Sequence, residues 1–253
     1  MTKFHIPVLY DEVVSYASLL KDDIVLDATI GYGGHSSGLL DQLGPKGRLI
    51  GVDRDEHANQ FCQDRFADDD RVTLVHDRFD RTQAALERMS IKGVNVLLAD
   101  LGISSYHLDH AQRSFSFKDD APIDMRMDLR EPLTGAEILN TYSHDELVVM
   151  LDAHTDLKNV KRIADFLITK RQASLFVSCA DLNDVAKRAF SFCSSRRHYI
   201  NCLSQLFQAI RMEVNDELGC VERLMSQLPE IILPGGRVLF ITFHSIEDRL
   251  VKR

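Results

Sequence analysis

Residues 24–53 open with IVLDATIGYGGHSSGLL (24–40) and close with RLIGVD (48–53). An apolar run ending in Asp27 enters a glycine-rich turn at Gly31, Gly33 and Gly34. A helix-like segment follows from Ser36, and a second apolar run ends in Asp53. The pattern predicts strand, glycine turn, helix, strand, acid. Glycines let a backbone approach a ligand closely, and an exposed helix N-terminus offers unpaired N–H groups. Asp53 lies 22 residues after Gly31. A carboxylate at that distance, on the tip of the second strand, accepts hydrogen bonds from ribose hydroxyls. A nucleoside fits such a turn, although a tight turn with no ligand would use the same residues.

Two cofactor classes share this arrangement. The dinucleotide fingerprint requires a third glycine where this chain has Ser36, and Gly33-Gly34-His35 sets two glycines side by side. That spacing favours S-adenosylmethionine over NAD. Further apolar runs, Val72–His76, Val94–Ala99 and Arg237–Phe243, alternate with helical patterns at 56–66 and 81–89 and predict a parallel sheet covered on both faces. The segment from His5 to Leu20 has helical spacing from Val8 onward. Asp27, Asp53, Asp77 and Asp100 all fall at strand tips, where ligands of such sheets bind. Four carboxylates there attract a sulfonium cation and repel a pyrophosphate. Any one of them would equally serve as a helix cap.

Residues 101–130 break the alternation with a long segment rich in polar and aromatic side chains. Loops of that length inside compact domains are usually functional or disordered, and Tyr106, Phe115 and Phe117 argue against disorder. Ser104, Ser105, Arg113, Lys118 and Arg126 offer donors to phosphates or base edges, and the rings can stack a base or pin the loop. From Thr134 the pattern is helical, with helices expected at 134–139, 143–153, 157–169, 182–190 and 204–215, then a helix at 221–233 and a turn at Pro234-Gly235-Gly236.

The chain has 253 residues and a net charge of -8. Residues 158–211 contain ten Lys or Arg against three Asp, a net of +7, so the remainder carries -8 - 7 = -15. A basic helical module joined to an acidic body points to a nucleic-acid partner, against the plainer reading of a solvated surface. No apolar run reaches the roughly 18 residues of a membrane span, and no leader pattern opens the chain, so a cytoplasmic protein with no membrane partner is expected. The five cysteines (62, 179, 193, 202 and 220) form no C-x-x-C pair, and His107 and His110 have no second pair, so no metal is expected.

The strings HIPVLYDEVV, DATIGYGGHSSGLL, GVDRD, LLADLGISSYHLD, RSFSFKDDAPIDMRMD, FQAIRMEVNDELG and PGGRVLFITFHSIEDRLVKR span nearly the whole chain. In that order they resemble the S-adenosylmethionine-dependent methyltransferases that modify the N4 amino group of a cytosine in small-subunit (16S) ribosomal RNA. APIDMRMD and FHSIEDR are idiosyncratic to that family. The resemblance implies an α/β fold with a class I, Rossmann-like parallel sheet and an inserted helical domain. The expected division is 1–103 with 216–253 for the cofactor domain, 104–130 for a substrate-side loop and 131–215 for the insertion. It further implies that Gly33, Gly34 and His35 lie against the cofactor's methionine part, that Asp53 holds its ribose, that Phe79 meets the adenosine, and that Asp100 and His107 close the methyl-transfer side. Small-subunit rRNA, within an assembled or assembling subunit, is the implied partner, with Arg113, Arg126, Arg196, Arg197 and Arg211 as candidate contacts and a homodimer left open.

The chain departs from the family at three places. His107 stands where a Gln is usual, and 201–206 lacks the usual His and Arg. Family members also continue past HSIEDRLVKR with the last strands of the sheet, so those strands are expected to be missing here. In the implied reaction the cytosine N4 attacks the sulfonium methyl in line, with Asp100 or a backbone carbonyl accepting an N–H and no cysteine nucleophile. The Asp/Asn-Pro-Pro-aromatic motif of many amino-methyltransferases is replaced by Asp100-Leu101-Gly102. The alternatives are a catalytically idle RNA-binding or ribosome-assembly homologue and an NAD-dependent oxidoreductase.

Overall fold

The computed structural model describes residues 7–102, 115 and 120–253. It divides into two compact units, Met1–Gly102 with Leu218–Arg253, and Ile103–Glu217. The sequence reading placed the divisions at 103/104 and 215/216.

The first unit is built on β1 (Ile24–Asp27), β2 (Arg48–Asp53), β3 (Val72–His76), β4 (Val94–Asp100) and β5 (Ile232–Ile241), in the order β3-β2-β1-β4-β5. Every pairing is parallel. Parallel neighbours need crossover connections, and the chain supplies α2 (Gly34–Gln42), α3 (Glu56–Arg65) and α4 (Thr82–Arg88) between successive strands, with α1 (Tyr10–Ala17) preceding β1. Side chains alternate across the pleat. Val25, Leu49, Val96 and Leu98 therefore pack on one face with Val13 and Ala17 of α1 and Leu39 of α2. Leu26, Ile50 and Leu97 pack on the other with Leu86 of α4 and with Val221 and Leu224. Burial on both faces is why these strands read as near-continuous apolar runs.

The second unit holds α5 (Gly135–Thr141), α6 (His144–His154), α7 (Val160–Ala173), α8 (Cys179–Ala189) and α9 (Arg196–Val214) around a separate core that includes Ile138, Leu147, Leu151, Ile163, Leu167, Leu182, Leu206, Phe207 and Ile210. Ser143 and Glu146 close a capping box at the start of α6, as the S-x-x-E spacing indicates. Helix α9 differs from expectation. It begins at Arg196 rather than Ser204, because the Ser195 side chain accepts from the His198 N–H and no Gly or Pro interrupts the following turns. The departure at 201–206 thus lies mid-helix, with Cys202, Leu203 and Leu206 buried.

The string DMRMD acquires a structural reason in the same unit. Met125 adopts φ 63, a left-handed conformation that strains a residue with a side chain. The buried Asn215 side chain holds this turn, donating to the Met125 carbonyl (2.7 Å) and accepting from the Met127 N–H (2.8 Å). Arg126 pairs with Asp124 and donates to the carbonyls of Leu129 and Glu131. Arg211 forms a two-pronged pair with Glu217 at 2.7 and 2.9 Å, in which both side chains are about nine-tenths buried. Arg126 and Arg211, candidate RNA contacts in the sequence reading, both have guanidiniums engaged in internal ties. Arg113 and His107 lie outside the described residues.

The chain returns through α10 (Glu217–Ile231) directly into β5, and α11 (Ser245–Val251) follows. The turn expected at Pro234-Gly235-Gly236 is absorbed into β5. Gly235 takes φ 80, and the β4–β5 register slips between Val94 and Val96, so the punctuation residues make a bulge. Among the described residues no helix is long and apolar enough to cross a membrane.

Removing one partner of a buried ion pair leaves an uncompensated charge, a loss of about 3 kcal/mol. Arg211→Ala is expected to destabilise the protein by that amount in urea unfolding, whereas Arg196→Ala, at an exposed position, should change stability by less than about 0.5 kcal/mol.

Candidate active site

The sheet order reverses between β1 and β4, and in open α/β sheets the connections leaving such a pair run to opposite faces and open a crevice at the carboxyl ends. Asp27 ends β1, Asp100 ends β4, and His35 enters the first turn of α2 just beyond β1.

The four strand-tip carboxylates prove to have different tasks. Asp27 is fully buried, accepting from the Ser36 hydroxyl at 2.6 Å and the Thr29 N–H at 3.2 Å. It ties the entrance of α2 to β1. Asp53 accepts from the Gly31 N–H and the Asp55 N–H, each at 2.9 Å, and so fixes the glycine turn. Asp77 caps the next turn, accepting from the Arg78 N–H and pairing with Arg81. Asp100 is different. Its backbone is pinned by an N–H bond to the Thr29 hydroxyl at 2.7 Å, yet its buried Oδ1 has no hydrogen-bond partner.

Beside it stands His35, 5% exposed, with Nε2 3.6 Å from Asp100 Oδ2 and both ring nitrogens without hydrogen bonds. Buried polar atoms left unpaired cost about 1–3 kcal/mol each, and such groups call for a ligand. Tyr10 stacks near the His35 ring at 6.3 Å between centroids. Helix α2 adds a third feature, because its N-cap Gly33 (φ 73) supplies no side-chain cap to the first amides. They remain donors suited to a carboxylate.

The three glycines of the turn also differ. A Cβ on Gly31 would meet nothing nearer than 3.9 Å, but φ 50 disfavours one; on Gly33 it would strike the Phe66 ring at 2.7 Å, and on Gly34 the Pro7 ring at 2.5 Å. Gly33 and Gly34 are therefore required by packing under the turn as well as by any ligand over it. Helix α3 braces the same loop, with the Cys62 thiol donating to the Gly31 carbonyl at 3.1 Å and Arg65 to the Tyr32 carbonyl at 3.0 Å. Sequence reading missed Pro7, Cys62, Arg65 and Phe66, and only their helical phase or proximity to a strand could have marked them. Phe79 lies just past the β3 tip in a short 3-10 turn (Phe79–Arg81), 8% exposed and packed in the core, with the Arg54 guanidinium 5.7 Å from its ring centre.

These residues fit S-adenosylmethionine. Unpaired amides suit its carboxylate, and the carboxylates of Asp53 and Asp100 suit its ribose hydroxyls and its positive charge.

Burial pushes the Asp27 carboxyl up to about 6, opposed chiefly by the Ser36 hydrogen bond and by His35. A folded-state value above the ordinary 3.8 means that the protonated fold is favoured. That contribution is fully present below pH 4 and is lost as pH rises through 6, so an ionised Asp27 costs about 3 kcal/mol at pH 7. Asp27→Asn is expected to flatten the fall in unfolding free energy between pH 4 and pH 7, measured by denaturant titration at each pH; an unchanged slope would show that Asp27 is not its source.

The whole chain, residues 2–253, matches the model of the MraW methylase family. Three relatives are each called Ribosomal RNA small subunit methyltransferase H. The one from Symbiobacterium thermophilum is 38% identical over all of this chain and 80% of its own length. Those from Clostridioides difficile and Halothermothrix orenii are 37% and 36% identical, each over 98% of this chain and 80% of their own. With the glycine turn, the strand-tip carboxylates and the reversal point in place, the chain belongs to the MraW methylase family, and its methyl donor is S-adenosyl-L-methionine.

Proposed function

We propose that the protein methylates the N4 amino group of a cytidine in small-subunit ribosomal RNA, within an assembled or assembling subunit. The observation that carries this reading is the pair at the strand reversal of buried His35 and half-buried Asp100, which lacks hydrogen-bond partners for three of its four polar side-chain atoms. The names of the relatives point to the same substrate.

When bound, the cofactor supplies an electrophilic methyl on a sulfonium centre. The uncapped first-turn amides of α2, at Gly34 and His35, hold its carboxylate, Asp53 takes the ribose, and the turn at Phe79 borders the adenosine. Asp100 faces the acceptor. A cytosine amine is a poor nucleophile because its lone pair is delocalised into the ring. Asp100 accepts one N–H and so favours the pyramidal nitrogen whose lone pair can attack. His35, with Nε2 3.6 Å from the Asp100 carboxylate, borders the same crevice. The base must leave its stack to reach such a pocket.

The helical unit supplies phosphate contacts. Of its cationic residues between 158 and 211, Lys170 pairs with Asp181, Lys187 with Asp184 and Arg211 with Glu217, while Arg171 donates to the carbonyls of Leu139 and Tyr142. Lys158, Lys161, Arg162, Arg188, Arg196 and Arg197 are exposed. Arg196 and Arg197 begin α9, where the helix dipole disfavours cations, and an anionic partner offsets that cost.

Incubation with labelled S-adenosylmethionine and unmodified small subunits should yield N4-methylcytidine on nucleoside analysis; a methylated base of any other kind would refute the assignment. Asp53→Ala should weaken cofactor binding about 100-fold in calorimetry, the loss of two hydrogen bonds to a charged group. Asp100→Ala should abolish transfer, and unaltered turnover in that variant would remove Asp100 from the reaction.

A further inference from the structure

The turn between α8 and α9 brings together three side chains that the methylation site does not use. Cys193 lies four residues past the end of α8, and His198 and Cys202 are four apart on α9, which places them one above the other on the same helix face. Their ligand atoms all lie within 4.8 Å of one another. Spacing alone conceals this group, because no C-x-x-C or H-x-x-x-H string marks it, and the expectation of no metal rested on that lack.

From this juxtaposition we propose that Cys193, His198 and Cys202 bind a zinc ion. The two sulfurs stand 3.8 Å apart. Two thiolates each about 2.3 Å from a tetrahedral metal are separated by about 3.8 Å, so the pair is already spaced as zinc would hold it. A disulfide needs about 2.05 Å, which would require the sulfurs to close by nearly half their separation. The imidazole is exposed and can turn toward the thiols by the remaining ångström or so that a sulfur–nitrogen edge of about 3.6 Å requires.

The surroundings suit a borderline-soft cation. Cys202 is buried and Cys193 partly so, and the rings of Phe190, Phe192 and Tyr199 flank the turn, with Phe192 edge-on to His198 at 5.9 Å. Hard cations such as magnesium need oxygen donors, whereas two sulfurs and one imidazole select zinc. Water takes the fourth position on the His198 side. Binding releases the two thiol protons to solvent and leaves the centre electrically neutral, with no redox change. Arg196 and Arg197 lie between the first two ligands, so the metal clips the turn that presents them.

The test uses the full chain, purified under reductant and dialysed against metal-free buffer. Zinc titration should give one ion per chain, and cobalt(II) in its place should show thiolate-to-metal charge transfer in the near ultraviolet with strong visible bands of a tetrahedral centre. Cys193→Ser, Cys202→Ser and His198→Ala should each lower zinc affinity at least about 100-fold, with circular dichroism confirming the fold. His198 is exposed, so its replacement does not threaten folding. The proposal is overturned if the folded wild-type chain retains no stoichiometric zinc, if its cobalt spectrum lacks the charge-transfer band, or if any one of the three variants binds zinc with unchanged affinity.

Discussion

The pairing of β1 with β4 is the contact on which the cofactor-binding unit depends. Val25, Leu26 and Asp27 pair with Val96, Leu97 and Leu98, and this joins strands about 70 residues apart in the chain. The pairing reverses the strand order and opens the crevice. It also carries Asp100 to a position beside His35, and the Asp100 N–H bond to Thr29 locks that approach. Without the β1–β4 register, the glycine turn would be a loop over solvent.

The buried carboxylate of Asp27 converts this register into a site. It is held by a hydroxyl and an amide, in surroundings that oppose its ionisation. Structural carboxylates are usually placed where charge is easy to keep. One placed where charge is costly is a source of field, and a positively charged ligand in the crevice benefits from it. The same cluster therefore weakens the empty fold and favours the occupied one, the usual relation between stability and function at binding sites.

The helical unit shows a comparable division. Its positive excess looks uniform along the chain, but the fold assigns part of it to ion pairs with Asp181, Asp184 and Glu217, the second of them at the surface. The remainder is exposed and includes the two arginines that open α9. Charge counted by segment locates the cationic excess; how much of it is paired depends on which acids the fold brings to which cations.

The sequence by itself determined the order of strands and helices, the glycine turn, the acids at the strand tips and the place of the helical insertion. Those signals are local. Apolar periodicity, a φ that only glycine accepts cheaply and a capping serine each act within a few residues. Only the tertiary structure decided which acid was left open, since Asp27 meets Ser36 and Asp53 meets Gly31 through the fold of the turn, while Asp77 satisfies itself. It also decided that Arg126 and Arg211 are internal, that α9 begins eight residues earlier than its pattern suggested, and that Cys193, His198 and Cys202 converge. Each of these is a question of which groups become partners, and a side chain's partner is fixed by packing among distant segments, which no local pattern encodes.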